Sequence, residues 1–235
     1  MRTEIIYEDD YVLVCYKPAA LASQTARVGQ PDVVSELRNY LNEKSAGAAK
    51  GYLGIVHRLD QPVEGLLVFA RTQKAAAGLS AQLTGGTLNK SYYAVICGRP
   101  EKREAELTDY LEKKDGRAVV VRDSRRKGQR AVLHYKIIAE KEVLSCSVFL
   151  AEIKIDTGRF HQIRAQMANA GMPLLGDMKY GNEISANISR QLNVRNTALC
   201  AYELEFKHPV NGKKMHFVIS PKGAAFGLFE GFCSY

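Results

Sequence analysis

The sequence predicts an α+β fold with a mostly antiparallel sheet, on three observations. Runs rich in strand formers recur along the chain, including residues 5–7, 11–16, 65–70, 90–98, 132–138 and 144–155. Helical periodicity is confined to residues 32–42, 73–83 and part of 156–171. A last pair of strand-like runs, 198–206 and 214–219, flanks His208-Pro209-Val210-Asn211-Gly212, where Asn-Gly is a strong hairpin signal. No internal repeat or low-complexity tract interrupts this pattern.

Each element has a local reason. Residues 5–16 read as two strands around the acidic turn Glu8-Asp9-Asp10, and Lys17-Pro18 ends the second. Asp32 is a candidate N-cap for a helix whose Val33, Leu37 and Leu41 share a face. Residues 43–52, with Ser45, Gly47 and Gly51, read as a surface loop rather than a domain boundary. Thr72 is placed to cap a helix that Gly85-Gly86 stops. Residues 132–138 and 144–155 read as antiparallel strands, with Glu140-Lys141-Glu142 at the turn. Thr157 is expected to cap a helix with the apolar stripe Phe160, Ile163, Met167 and Ala170, while His161 and Arg164 share its other side.

Composition narrows the function classes. The 235 residues suffice for one large domain or two small ones. Against 25 acidic residues stand 33 Lys and Arg, a net charge of +8 that favours a polyanionic partner. A cluster at Arg122, Arg125, Arg126, Lys127 and Arg130 carries much of it, although most charge runs are solvated faces. The apolar runs are strand-sized, so no membrane span is expected. The N-terminus lacks the apolar core of a signal peptide, which makes the cytoplasm the default location. The five cysteines form no Cys-x-x-Cys pair and the histidines have no paired ligand spacing, so no metal site is expected.

The stretch with most chemical promise is residues 54–72. Ile55-Val56 and Gly65–Ala70 are apolar runs, and between them lies a charged turn containing Arg58 and Asp60, with Leu59 tucked inward. An Asp on a turn between buried strands is well fixed for chemistry. Most loop Asp residues only satisfy their turn, and His-Arg-Leu-Asp alone does not beat that reading.

Two later stretches change the balance. His57-Arg58-Leu59-Asp60 with Gly65-Leu66, then Lys90-Ser91-Tyr92-Tyr93-Ala94, then Thr157-Gly158-Arg159-Phe160-His161-Gln162-Ile163-Arg164 with Gly171-Met172-Pro173 and Gly176-Asp177, together resemble the motifs of the RluA-type pseudouridine synthases. The resemblance runs in family order over residues 6–221. Two departures are visible: Ala20 stands where the family's Lys-Pro-x-Gly has Gly, and Val63-Glu64 stands where Thr-Ser is common.

The resemblance implies a central mixed sheet crossed by an active-site cleft, in a single catalytic domain over residues 1–235 with no N-terminal S4-type domain. It implies isomerisation of uridine to pseudouridine in structured ribosomal or transfer RNA, with no cofactor and no metal. Asp60 is the implied catalytic residue, acting on ribose either as a nucleophile at C1′ or as a base at C2′. Tyr92 is implied to stack on the uracil, with Tyr93 on the opposite face of its strand. Arg164 is implied to pair with Asp60, and Arg58 to fill the base stack that the target nucleotide leaves. Lys17, Arg159 and His161 are candidates for phosphate contacts, and Arg125, Arg126 and Lys127 for further RNA binding. A monomer is expected. The rival readings are a glycosidase-like hydrolase using Asp60 and Glu64, an RNA-binding factor with relic motifs, and a ribonuclease using His57 and His161.

Overall fold

In the computed structural model the described residues are 1–25, 27, 29–44, 51–121 and 128–232. The chain divides into two compact units: residues 1–90 with 201–219, and residues 91–200 with Ser220 onward. The α+β class is the one the sequence predicts, with antiparallel strand pairs and few helices.

The first unit is built on β1 (Glu4–Glu8), β2 (Val12–Lys17), β3 (Gly54–Ile55), β4 (Glu64–Ala70), most of β10 (Leu199–Lys207) and β11 (Lys214–Val218). Here β2 lies between β1 and β4, β10 follows β4, β3 pairs with β4, and β11 with β10. The helix α1 (Val33–Lys44) starts as predicted, with Ser35 N donating to Asp32 Oδ1 at 2.7 Å. Thr72 caps α2 (Gln73–Thr84) in the same way, accepting from Ala75 N at 3.1 Å. Val12, Val14, Leu66, Val68, Leu79, Leu204 and Phe206 form the core that α2 covers.

Two positions fix the backbone near β2 and β4. Gly65 has φ +131°, and a Cβ there would lie 2.5 Å from both N and O of Ala201, so only glycine allows this approach of β4 to β10. Ala20 keeps φ 63°, the conformation that the family's glycine would take easily. A left-handed L-residue costs roughly 1–2 kcal/mol. Ala20→Gly is therefore expected to stabilise the protein by about 0.5–1 kcal/mol, the remainder being offset by glycine's extra unfolded-state freedom. A urea unfolding midpoint that fails to rise would contradict this.

The second unit carries β5 (Asn89–Cys97), β6 (Glu104–Lys114), β7 (Arg117–Val120), β8 (Gln129–Val143) and β9 (Cys146–Ile155), in the spatial order β5-β9-β8-β6-β7. The β8–β9 turn is not Glu140-Lys141-Glu142, which pair in register with Phe149, Val148 and Ser147. It is Leu144-Ser145, both at positive φ (54° and 59°), as a two-residue hairpin turn of matching twist requires.

The helix after β9 also differs from expectation. α3 spans Gln162–Asn169 and begins at His161, whose φ is 52°. Thr157 is not its cap: its hydroxyl donates to Gln162 Oε1 at 2.8 Å and accepts from Val132 N at 2.9 Å. Phe160 precedes the helix and is 40 % exposed, so it belongs to no buried stripe. A further helix, α4 (Glu183–Gln191), opens with a capping box between Asn182 and Ser185. Of the 43–52 loop, residues 45–50 fall outside the described residues, as do Arg122, Arg125, Arg126 and Lys127.

Candidate active site

In the first unit Asp60 sits on the turn between β3 and β4, half-buried, with Arg58 exposed and Leu59 buried beside it. The turn is anchored on both sides of the aspartate. Leu59 N donates to Ser23 Oγ at 3.0 Å, and that hydroxyl donates to Leu59 O at 2.7 Å. Lys17 Nζ donates to Gln61 O at 3.1 Å, and Val63 N closes the turn on Asp60 O at 3.1 Å. Val63-Glu64 thus supports a closed turn, with the buried Glu64 carboxylate accepting from Tyr16 Oη.

Lys17 has a different task from phosphate contact. It is fully buried, and its ammonium also donates to Pro18 O at 3.0 Å and Leu21 O at 2.6 Å. An ammonium has three protons, and three carbonyls take them. Burial pushes its pKa down to about 7, against the pull of the Asp60 and Glu64 carboxylates. Lys17 therefore joins the Ala20 turn to the Asp60 turn.

His57 is buried, its Nε2 accepts from Val68 N at 3.2 Å, and its Nδ1 has no hydrogen-bond partner. Burial, with the Lys90 charge adding to it, holds it well below its ordinary range, so it is a neutral structural residue at physiological pH. On β10 and β11, His216 Nε2 lies 2.9 Å from Glu203 Oε1 and 3.9 Å from Glu205 Oε1, while Lys214 Nζ lies 3.0 Å from Glu205. Lys214–Glu205 is a cross-strand ion pair, and the His216 contacts are cross-strand polar contacts on the same hairpin.

In the second unit the long motif makes a connected group. Arg164 is buried, and its Nε and Nη2 donate to Asp177 Oδ2 and Oδ1 at 2.7 and 2.8 Å. The same carboxylate accepts from the amides of Lys179 at 3.0 Å and Tyr180 at 3.1 Å. The Tyr180 ring lies beneath the guanidinium at 5.1 Å, and the Tyr180 hydroxyl meets His161 Nδ1 at 2.8 Å and Ala118 N at 2.6 Å. Arg164 is thus fixed in plane and in direction by groups on a separate segment. Sequence reasoning gave neither Asp177 nor Tyr180 a role; the signal was Gly176-Asp177 opening a tight turn that buries its carboxylate.

Burial alone would raise the Asp177 carboxyl, but the Arg164 hydrogen bonds and charge, with the two amides, hold it below its ordinary range. A lowered folded pKa means that the carboxylate's contribution to stability is present at neutral pH. It is lost as pH falls from about 4 through the folded value. Asp177→Asn leaves a buried guanidinium short of its charge partner, so we expect a loss of about 3–5 kcal/mol at pH 7 that shrinks in acid. Thermal unfolding at the two pH values checks both parts, and an equal loss at each would contradict the linkage.

His161 is half-buried in its left-handed conformation, with Phe160 stacked on it at 3.7 Å between ring centroids. A non-glycine held at positive φ stores strain of a kind that clusters at functional sites. Arg159 is exposed, and its Nε donates to Arg130 O at 3.0 Å. On β5, Tyr92 and Tyr93 are both buried and point to opposite faces, Tyr92 paired in register with Ile153 and Tyr93 with Glu152.

The structure thus holds Asp60 on a doubly anchored turn in one unit and orients Arg164 through Asp177 in the other. Comparison with known proteins gives the chain its family. A family model described as RNA pseudouridylate synthase matches residues 11–169, which include Asp60, Tyr92 and Arg164. A ribosomal large subunit pseudouridine synthase D from Zymomonas mobilis is 37 % identical over 224 residues, covering 91 % of this chain and 68 % of that protein. The protein of the same name from Xanthomonas campestris is 34 % identical over 218 residues, covering 89 % and 63 %. A ribosomal large subunit pseudouridine synthase C from Rickettsia felis is 32 % identical over 208 residues, covering 88 % and 65 %. The chain thus spans 63 to 68 % of the length of these curated relatives. The solved structure of human RNA pseudouridylate synthase domain containing 4 has the same fold, with a TM-score of 0.74 at 22 % identity over 95 % of this chain and 92 % of that one. The chain belongs to the RluA-type RNA pseudouridine synthases, a family of isomerases.

Proposed function

We propose that this chain is the catalytic domain of an RNA pseudouridine synthase, with residues 1–235 acting as one domain and Asp60 as the catalytic group. The observation that carries the reading is the fixing of Asp60 between the Ser23–Leu59 and Lys17–Gln61 anchors, on the motif that the family model covers. The bond from ribose C1′ to uracil N1 breaks, the base turns, and C1′ bonds to C5. The C5 proton leaves and N1 gains one, so atoms and electrons balance within the substrate. Asp60 acts on the ribose, by attack at C1′ or by taking the C2′ proton. Arg164 accompanies the Asp60 carboxylate, its own direction set by Asp177. Tyr92 stacks on the uracil, and Arg58, exposed beside Asp60, refills the vacated stack.

The names of the relatives favour ribosomal RNA of the large subunit as the substrate over transfer RNA. Arg159 and His161 are proposed to contact phosphates, and Arg125, Arg126 and Lys127 to add charge attraction. The protein acts as a monomer in the cytoplasm in this reading. Among the described residues no helix is long and apolar enough to cross a membrane.

The rivals lose support at particular atoms. A hydrolase needs a second carboxylate at the scissile bond, and Glu64 is buried against Tyr16. A ribonuclease needs a titrating His57, and His57 is buried and neutral. The test is chromatography of nucleosides from large-subunit ribosomal RNA after incubation with the protein. Pseudouridine is expected; free uracil instead would establish the hydrolase.

A further inference from the structure

Phe160 is an exposed aromatic in the middle of the motif that places Arg164. Its ring is backed on one face by the His161 imidazole, 3.7 Å away and tilted by only 20°. His161 is itself held by its contact with the Tyr180 hydroxyl at 2.8 Å and by the Tyr180 ring edge-on at 5.6 Å. The phenyl ring is thus half of a prebuilt stack rather than a loose surface side chain. The exposed Lys113 on β6 lays its ammonium 4.8 Å over the same ring. Arg159, the preceding residue, is exposed; its Nε donates to Arg130 O, and its guanidinium carries further donors. Lys114 and Arg117, both exposed, close the β6–β7 hairpin next to Lys113.

We propose that Phe160 is a stacking platform for an unpaired base of the RNA outside the target nucleotide, with Lys113 and Arg159 neutralising the phosphates on either side. The proposal rests on the reading of this chain as a protein that acts on RNA. A nucleobase offers a flat π face of the kind His161 already presents to Phe160, so it extends an existing stack without reorganising it. The base takes the place over the ring that the Lys113 ammonium occupies, and the flexible lysine stem moves that charge to the adjacent phosphate. Stacking on a phenyl ring tolerates any base, so the platform adds affinity for single-stranded RNA and little sequence preference.

The test compares two probes on the whole chain: a fluorescein-labelled oligouridine, and a labelled ribose-phosphate oligomer of the same length without bases. Phe160→Ala is expected to weaken oligouridine binding about five- to 150-fold, the usual range for losing one base–aromatic stack, and to leave binding of the abasic oligomer unchanged. Phe160→Trp is expected to retain the wild-type affinity for both. Equal binding of oligouridine by wild type and Phe160→Ala overturns the proposal, as does an equal loss on both probes or failure of wild type to prefer the oligomer that has bases. A base-dependent loss in a protein that forms no pseudouridine would leave the platform standing and refute the reaction instead.

Discussion

Replacing Asp60 by Asn should abolish pseudouridine formation, by roughly 10⁴-fold or more, while RNA affinity stays within a few-fold of wild type. The expectation follows from how the residue is held. The hydrogen bonds that fix its turn are made by backbone groups of Leu59, Asp60, Gln61 and Val63 and by Ser23 and Lys17, and the Asp60 carboxylate adds its attraction for the Lys17 ammonium. Asn has the same shape and leaves those anchors in place, so it removes the nucleophile or base without moving the loop. Tritium release from RNA labelled at uridine C5 gives the rate, and anisotropy gives the affinity. Substantial turnover by the Asn variant would sink the assignment. Loss of both turnover and affinity would mean that the carboxylate holds the turn after all.

Tyr92→Phe should slow the reaction by about 10²–10⁴-fold, the usual contribution of a positioned acid–base group, with RNA binding retained. After uracil rejoins through C5 a proton must leave that carbon, and the Tyr92 hydroxyl is the relay in this reading. Phe keeps the buried ring in β5 opposite Ile153 and loses only the hydroxyl. Tyr92→Ala should add a binding loss of roughly 1–3 kcal/mol from lost stacking. Tyr93, opposite Glu152 and on the other face of the strand, is the control: its Phe variant should turn over as wild type does. A Tyr92→Phe rate within a few-fold of wild type would leave Tyr92 as a stacking surface alone.

What the sequence made legible was what depends on neighbours along the chain. The caps at Asp32 and Thr72 and the turn at Asn211-Gly212 signal themselves within a few residues, and each stands where expected. The hairpin of β6 and β7 was not legible, because charged residues break up its half-exposed alternation and its apolar positions are few in β6. The Leu144-Ser145 turn was hidden for a different reason: leucine at φ 54° is a choice made by the register of β8 and β9, not by its own preference. α4 was readable in principle from its capping box, but its surface is mostly polar.

The site divides along the same line. Asp60, Tyr92 and Arg164 came from motif resemblance, which needs only order along the chain. The burial of Lys17 depends on the Gln61 carbonyl, 44 residues on, and the direction of Arg164 on Asp177, 13 residues on and beyond the end of α3; neither pairing is signalled by neighbouring residues. Phe160 was misplaced because a helix was extended back to Thr157, and the left-handed His161 that stops it has no signal in composition.

The most direct measurement of the central claim is a map of pseudouridines in ribosomal and transfer RNA from cells with and without this protein, complemented by wild type or by Asp60→Asn. The account predicts that at least one uridine of the large-subunit ribosomal RNA loses its modification without the protein. Wild type should restore it, and Asp60→Asn should not. An unchanged map, or restoration by the Asn variant, would contradict it.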